Sequence, residues 1–168
     1  MTPEATIEEL PWLALARSYL GMAEIPGPGN NQTISRWLGM LGGWWNDDET
    51  PWCGTFVAAC LVEAGQRKPR HWFRARAYLD YGHELDRMAY GSIVVFERGG
   101  GGHVGFVVGR DRRNRVMCLG GNQGNRVSIA PFELWRVLGY RWPPTDAYLP
   151  VYPLPVLDAA GPSSSMEA

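Results

Sequence analysis

Cysteine is scarce in this chain: three residues in 168, with no Cys-x-x-Cys pair, are too few and too scattered for a disulfide framework. Synthesis in a reducing compartment, the cytoplasm, is the simplest reading. Charge of one sign is missing as well. Sixteen basic residues against 17 acidic ones leave a net charge of −1, so no basic field draws the chain to nucleic acid or an anionic membrane. No apolar run approaches the roughly 20 residues that cross a bilayer, so no membrane insertion is expected. The opening residues, Met1 to Glu9, are acidic and lack the basic and long apolar regions of a signal peptide. No internal repeat is present. Histidine is rare too, which leaves His71, His83 and His103 as the whole stock of imidazoles.

What is abundant is tryptophan, glycine and proline, at 8, 21 and 13 residues. They imply many turns, a loop-rich fold and an aromatic-lined surface or cleft. The length suits one domain, or one domain with a tail, able to bury a real core.

Leu10 to Met22 reads as a helix, ended by Gly21 and the loop Pro26-Gly27-Pro28-Gly29-Asn30-Asn31, with Glu24 just before that loop. Ile34, Trp37, Leu38 and Leu41 indicate a second short helix closed by Gly42-Gly43. Thr50 as N-cap and Pro51 at the first helical position open a third. Its apolar stripe runs through Phe56, Val57, Cys60, Leu61 and Ala64, and Gly65 supplies a left-handed stop. A basic, Pro-containing connection follows, with a helical turn or two around Arg74 to Leu79. From Gly91 the texture changes to β-rich runs: Ser92–Phe96, His103–Gly109, Arg115–Gly120, Asn125–Ala130, and a final strand within Trp135–Trp142. Helices first and an antiparallel sheet afterwards predict an α+β domain over residues 1–142. Residues 143–168 are expected to be a Pro-rich extension with a disordered end.

Cys53 falls in the first turn of the third helix. There, free backbone N–H groups and the positive dipole end favour a thiolate, the nucleophilic form. A cysteine nucleophile needs a base, and the base needs an orienting partner. His71 and His83 lie in charged, surface-like stretches. His103 opens a strand after Gly99 to Gly102, and its same-face neighbour is the small Gly105. A hairpin centred on Arg112-Arg113 places Arg110 opposite Arg115 and, seven steps on, His103 opposite Asn122. An Asn oxygen there would fix the imidazole tautomer. Each residue alone has a plainer reading. A lone Cys at a helix start is more often a small buried hydrophobe, and Asn122 beside glycines is by itself a turn residue. Their conjunction is what points to catalysis.

Cys60 and Cys118 fall on apolar stripes and read as core. Asp47-Asp48-Glu49 offers oxygen ligands for a hard cation, but a solvated acidic loop is the stronger reading. Cys53 and His103 lack zinc-ligand spacing, so no metal and no cofactor is called for. Trp44, Trp45 and Trp52 either line a substrate groove or belong to the core.

The runs Asp48–Val57, Gly102-His103-Val104-Gly105-Phe106-Val107-Val108-Gly109 and Gly120-Gly121-Asn122-Gln123 resemble the CHAP/NlpC-type cysteine peptidases and amidases. Within them the likeness is to a small phage-associated and bacterial branch with Pro-Trp-Cys, Gly-His-Val-Gly-Phe and Gly-Gly-Asn-Gln signatures. It covers about Leu10 to Trp142. The resemblance implies a papain-like α+β fold and hydrolysis of amide bonds in the peptide part of peptidoglycan. It also implies Cys53 as nucleophile, His103 as base and Asn122 as orienting residue. Trp45, Trp52, Gly102 and Gln123, at the borders of the motifs, are candidate substrate contacts. The alanine common after the motif cysteine is Gly54 here, a change expected to loosen the helix start. Without a signal peptide, delivery to the wall is expected by phage lysis, tail-mediated injection or contact-dependent secretion. Lysis or tail proteins, or an immunity protein, would be the partners. The rival readings are a non-catalytic wall-binding or tail module, and a deamidase or transferase acting on protein.

Overall fold

A computed structural model describes residues 9–25, 31–45 and 51–158. Thr50, the acidic triplet Asp47-Asp48-Glu49 and the end of the chain from residue 159 lie outside the described residues. Among the described residues, three α-helices, α1 (Pro11–Ser18), α2 (Gln32–Leu41) and α3 (Cys53–Glu63), and a 3-10 helix (Ala75–Asp80) precede a six-stranded sheet of β1 (His83–Leu85), β2 (Ile93–Arg98), β3 (Gly101–Arg110), β4 (Val116–Gly120), β5 (Ser128–Phe132) and β6 (Val137–Trp142). The strands lie in the order β1-β6-β2-β3-β4-β5, with every neighbouring pair antiparallel. The fold is α+β, with helices first and the antiparallel sheet after them. Among the described residues no helix is long and apolar enough to cross a membrane.

Local chemistry explains most boundaries. Pro11 opens α1, where its missing N–H costs nothing. The helix stops at Ser18, earlier than the apolar pattern predicts, because the following backbone pairs elsewhere. Gly21 N–H donates to Val127 O, Val127 N–H to Met22 O and Glu24 N–H to Asn125 O. Asn31 caps α2 by accepting from the N–H groups of Thr33 and Ile34, and Gly42 closes it at φ +84°. Gly65, at φ +81°, ends α3 as expected. The start of α3 differs: Trp52, not Thr50, is its N-cap, and Pro51 stands outside the helix.

Nor does α3 present a single stripe. All nine residues from Cys53 to Leu61 are buried, the condition of a helix enclosed on every side. Ile93, Val95, Val104, Phe106 and Val108 face it and the other helices in one large core. On the opposite face of the sheet, Val94, Phe96, Val107, Val116, Cys118 and Phe132 form a second, smaller cluster.

The β3–β4 hairpin is pinned by a buried aspartate. Asp111 accepts from the backbone N–H groups of Arg113 and Arg115 and, at 2.7 Å, from Arg115 Nε. The extension also folds back. Leu157 N–H donates to Arg110 O and Arg110 N–H to Pro155 O, while Tyr90 N–H donates to Val151 O. Residues 143–158 are therefore docked against the sheet rather than trailing from it.

Candidate active site

α3 begins at Cys53, and its first turn abuts β3. Cys53 is 6% exposed, and His103 acts on its thiol in the direction that favours the thiolate. Burial pushes that thiol upward. The His103 hydrogen bond and charge, together with the backbone N–H groups of Val104 and Gly54, more than offset it. Cys53 is held below the ordinary thiol value.

His103 is fully buried. Its ring stacks on Phe132 at 5.4 Å and on Phe96 at 6.2 Å, and those two phenyl rings stack on each other at 4.4 Å. One edge of the imidazole is taken: His103 Nε2 lies 3.0 Å from Gln123 Oε1. The orientation of the Gln123 amide follows from its other end. Its Nε2 donates to Cys118 O at 3.2 Å, Ser128 O at 2.9 Å and Ser128 Oγ at 3.2 Å. Because two of these partners are carbonyls, the NH₂ must face them and the oxygen must face His103. The imidazole therefore carries its hydrogen on Nε2, which leaves Nδ1 as the nitrogen able to accept a proton.

Asn122 does not take the orienting position expected of it. The ladder pairs Phe106 with Leu119 and Val107 with Cys118, in line with the predicted register, because a bulge between Val107 and Gly109 offsets a turn one residue longer than predicted. Beyond Gly120 the strand ends and Asn122 turns left-handed, at φ +61°. The pairing with His103 is never reached, and the next residue delivers its carboxamide instead. Asn122 is fully buried, and neither polar atom of its side chain has a hydrogen-bond partner among the described residues.

The glycines around the site are required by close approach. A Cβ on Gly120 would strike Gln123 Oε1, and one on Gly121 would come within 2.7 Å of the Trp52 ring and of Phe56. The chain leaving β4 thus passes between the His103–Gln123 pair and Trp52. Gly105 leaves no open space beside the imidazole, since Cys118 Sγ and Leu119 O occupy the place of its missing side chain. Gly54 does not loosen α3: a Cβ there would lie 2.6 Å from Trp72 O, and Tyr78 OH donates to both Gly54 O and Trp72 O.

Of the four candidate substrate contacts, Trp52 and Gln123 are buried and turned inward. Trp52 donates its indole N–H to Glu24 at 2.6 Å. Trp45 is half-buried, stacked on Trp72 at 5.8 Å and edge-on to Phe73, beside the almost fully exposed Trp44. Gly102 is half-buried against Arg76 and Ala75. His71 and His83 are exposed, and Cys60 and Cys118 are buried. Among the described residues, no group of three or more His, Cys, Asp or Glu side chains is placed to hold a metal ion.

Residues 45–122 match the family model of the CHAP domain. This segment is similar to CHAP domains. The CHAP match spans Cys53, His103 and Asn122 and stops one residue short of Gln123. α1, α2, β5 and β6 lie outside it. The CHAP family is one of hydrolases of the cysteine peptidase and amidase type, associated in general with peptidoglycan. Searches of the curated proteins and of the solved structures found no match.

Sequence reasoning did not find three contributors: the Phe96–Phe132 stack, the Glu24 anchor on Trp52, and Gln123 as the imidazole's partner. A signal existed for the last. An Asn flanked by glycines favours a left-handed turn, which rotates it out of a strand's face and presents the following residue.

Proposed function

We propose that this chain hydrolyses amide bonds in the stem peptides or cross-bridges of peptidoglycan. Cys53 is the nucleophile, His103 the acid and base, and Gln123 the residue that holds His103 in place. The thiolate adds to the carbonyl carbon, forming a C–S bond and a tetrahedral oxyanion. The imidazolium gives its Nδ1 proton to the departing amine, and the C–N bond breaks to leave a thioester. Nδ1 then takes a proton from water, hydroxide adds to the thioester, and the thiolate leaves as the free acid forms. Gln123 keeps the Nε2–H occupied throughout, so the ring offers the same nitrogen at every step. Burial of His103 against the stacked rings of Phe132 and Phe96 limits competing water around the imidazole.

The observation that carries this reading is the heightened acidity of the Cys53 thiol against a histidine whose tautomer is set from behind. Such a pair is suited to acyl transfer, and the CHAP match supports peptidoglycan as the substrate class. Since the substrate lies outside the cytoplasm, we place the site of action in the periplasm or wall. Delivery would be by phage lysis, tail injection or contact-dependent secretion, with lysis, tail or immunity proteins as partners. The test is mass analysis of fragments released from purified sacculi. Wild type is expected to release peptides with new amine and carboxyl ends, and Cys53→Ala none. Equal release by the two proteins would end the proposal.

A further inference from the structure

Five of the chain's 16 basic residues, Arg67, Lys68, Arg70, Arg74 and Arg76, fall within ten consecutive positions that contain no acidic residue. In a chain of net charge −1, such segregation concentrates positive potential on one surface. All five are exposed, and among the described residues none forms an ion pair. Their backbone is nonetheless held firmly. Tyr81 OH donates to Arg67 O, Pro69 and Trp72 are buried, and Arg76 Nε donates to Gly101 O at 2.8 Å. A cleft of about 330 Å³ opens beside the first half of the segment. Arg67, Lys68, Arg70 and His71 line it, with Asp80 as its one acidic group.

The segment is fastened to both halves of the catalytic pair. Trp72 O packs on Gly54, next to Cys53, and Arg76 is anchored on Gly101, two residues before His103. Arg70 and His71 are one or two Cα steps of about 3.8 Å from Trp72. A peptide spanning about 3.3–3.6 Å per residue would therefore reach the cleft within a few residues of an amide held at Cys53.

We propose that Arg67–Arg76 is an anion-binding subsite that selects acidic peptides, engaging carboxylates on residues flanking the amide to be cut. This rests on the hydrolase reading above and narrows it to anionic substrates. Guanidinium groups bind planar carboxylates through paired N–H donors, and preorganised backbone reduces the ordering cost of doing so. Phosphodiester polymers would satisfy the same charges. The acidic peptide is favoured because the subsite adjoins an acyl-transfer centre, so the anion belongs on the molecule that carries the amide.

The test uses one synthetic stem peptide in two forms, with free carboxylates and with carboxamides in their place. Wild type should cleave the carboxylate form with a kcat/KM about tenfold or more higher, through KM, with the preference shrinking as salt rises. The triple variant Arg67→Gln/Lys68→Gln/Arg70→Gln should lose the preference while keeping wild-type kcat on the carboxamide form, which also certifies its fold. Equal wild-type kcat/KM for the two forms, or a preference that survives the triple variant, would overturn the subsite. If wild type cleaves neither peptide, the hydrolase reading fails, and calorimetric binding to Cys53→Ala decides the subsite alone. Preferential binding of the carboxylate form supports it there. Tighter binding of a glycerol-phosphate oligomer than of that peptide overturns the acidic-peptide assignment.

Discussion

The two cysteines of α3 sit two turns apart on one enclosed helix, yet their acidities move in opposite directions. Cys60, in the helix interior, is driven well above the ordinary thiol value by burial, with Glu63 adding to the effect. Cys53, in the first turn, suffers the same desolvation and still ends below that value. The difference lies in what the helix end offers: His103, whose ring is clamped from behind, and the N–H groups of Val104 and Gly54. Mid-helix N–H groups are spent on the i−4 carbonyl and have nothing to give a sulfur. Burial by itself yields an inert thiol, and burial beside positioned donors yields a nucleophile.

The most drastic way to break this contrast is to delete each sulfur in turn. Cys53→Ala is expected to lower peptide release from sacculi by at least roughly 10³-fold. Cys60→Ala should keep near wild-type release while costing about 1 kcal/mol of stability, read as a lowered Tm. A smaller effect separates the two adjacent carboxamides. Gln123→Leu, which frees the imidazole to rotate, should lower kcat by about 10- to 100-fold, short of the full worth of a general base. Asn122→Gly relieves a positive φ and removes two unpartnered buried polar atoms. It should leave kcat within about threefold and hold or raise the Tm. A large kcat loss in Asn122→Gly with none in Gln123→Leu would reverse the assignment. Gly54→Ala acts on stability rather than on turnover. Its new methyl group meets Trp72 O, so a loss of about 1–3 kcal/mol in denaturant unfolding is expected, where a helix interior would otherwise favour alanine.

The order of elements was legible because it rests on local signals: the apolar period of α2, the apolar run of α3, the glycine stops at Gly42 and Gly65, and the branched runs of β2 and β3. What the sequence did not reveal depends on contacts between distant segments. α1 ends early because residues 21–24 pair with 125–127, and β1 exists because β6 gives the short His83-Glu84-Leu85 run a partner. That Cys53 and His103 meet was readable from a helix start and a glycine-flanked strand. Gln123 was not, because a left-handed residue at 122 breaks the alternation from which facing pairs are inferred. Gly54 misled for a related reason. Its need to be glycine lies in the Trp72 backbone, 18 positions away.

The most direct measurement is the pH dependence of iodoacetamide alkylation, with the modified residue identified by mass. In wild type, Cys53 should be alkylated while Cys60 and Cys118 are spared. Its rate should hold as pH drops below the ordinary thiol value of about 8.5 and fall off only through a lower apparent pKa, which His103→Ala moves upward. Alkylation of Cys53 with an ordinary or raised pKa, unchanged by His103→Ala, would contradict the account.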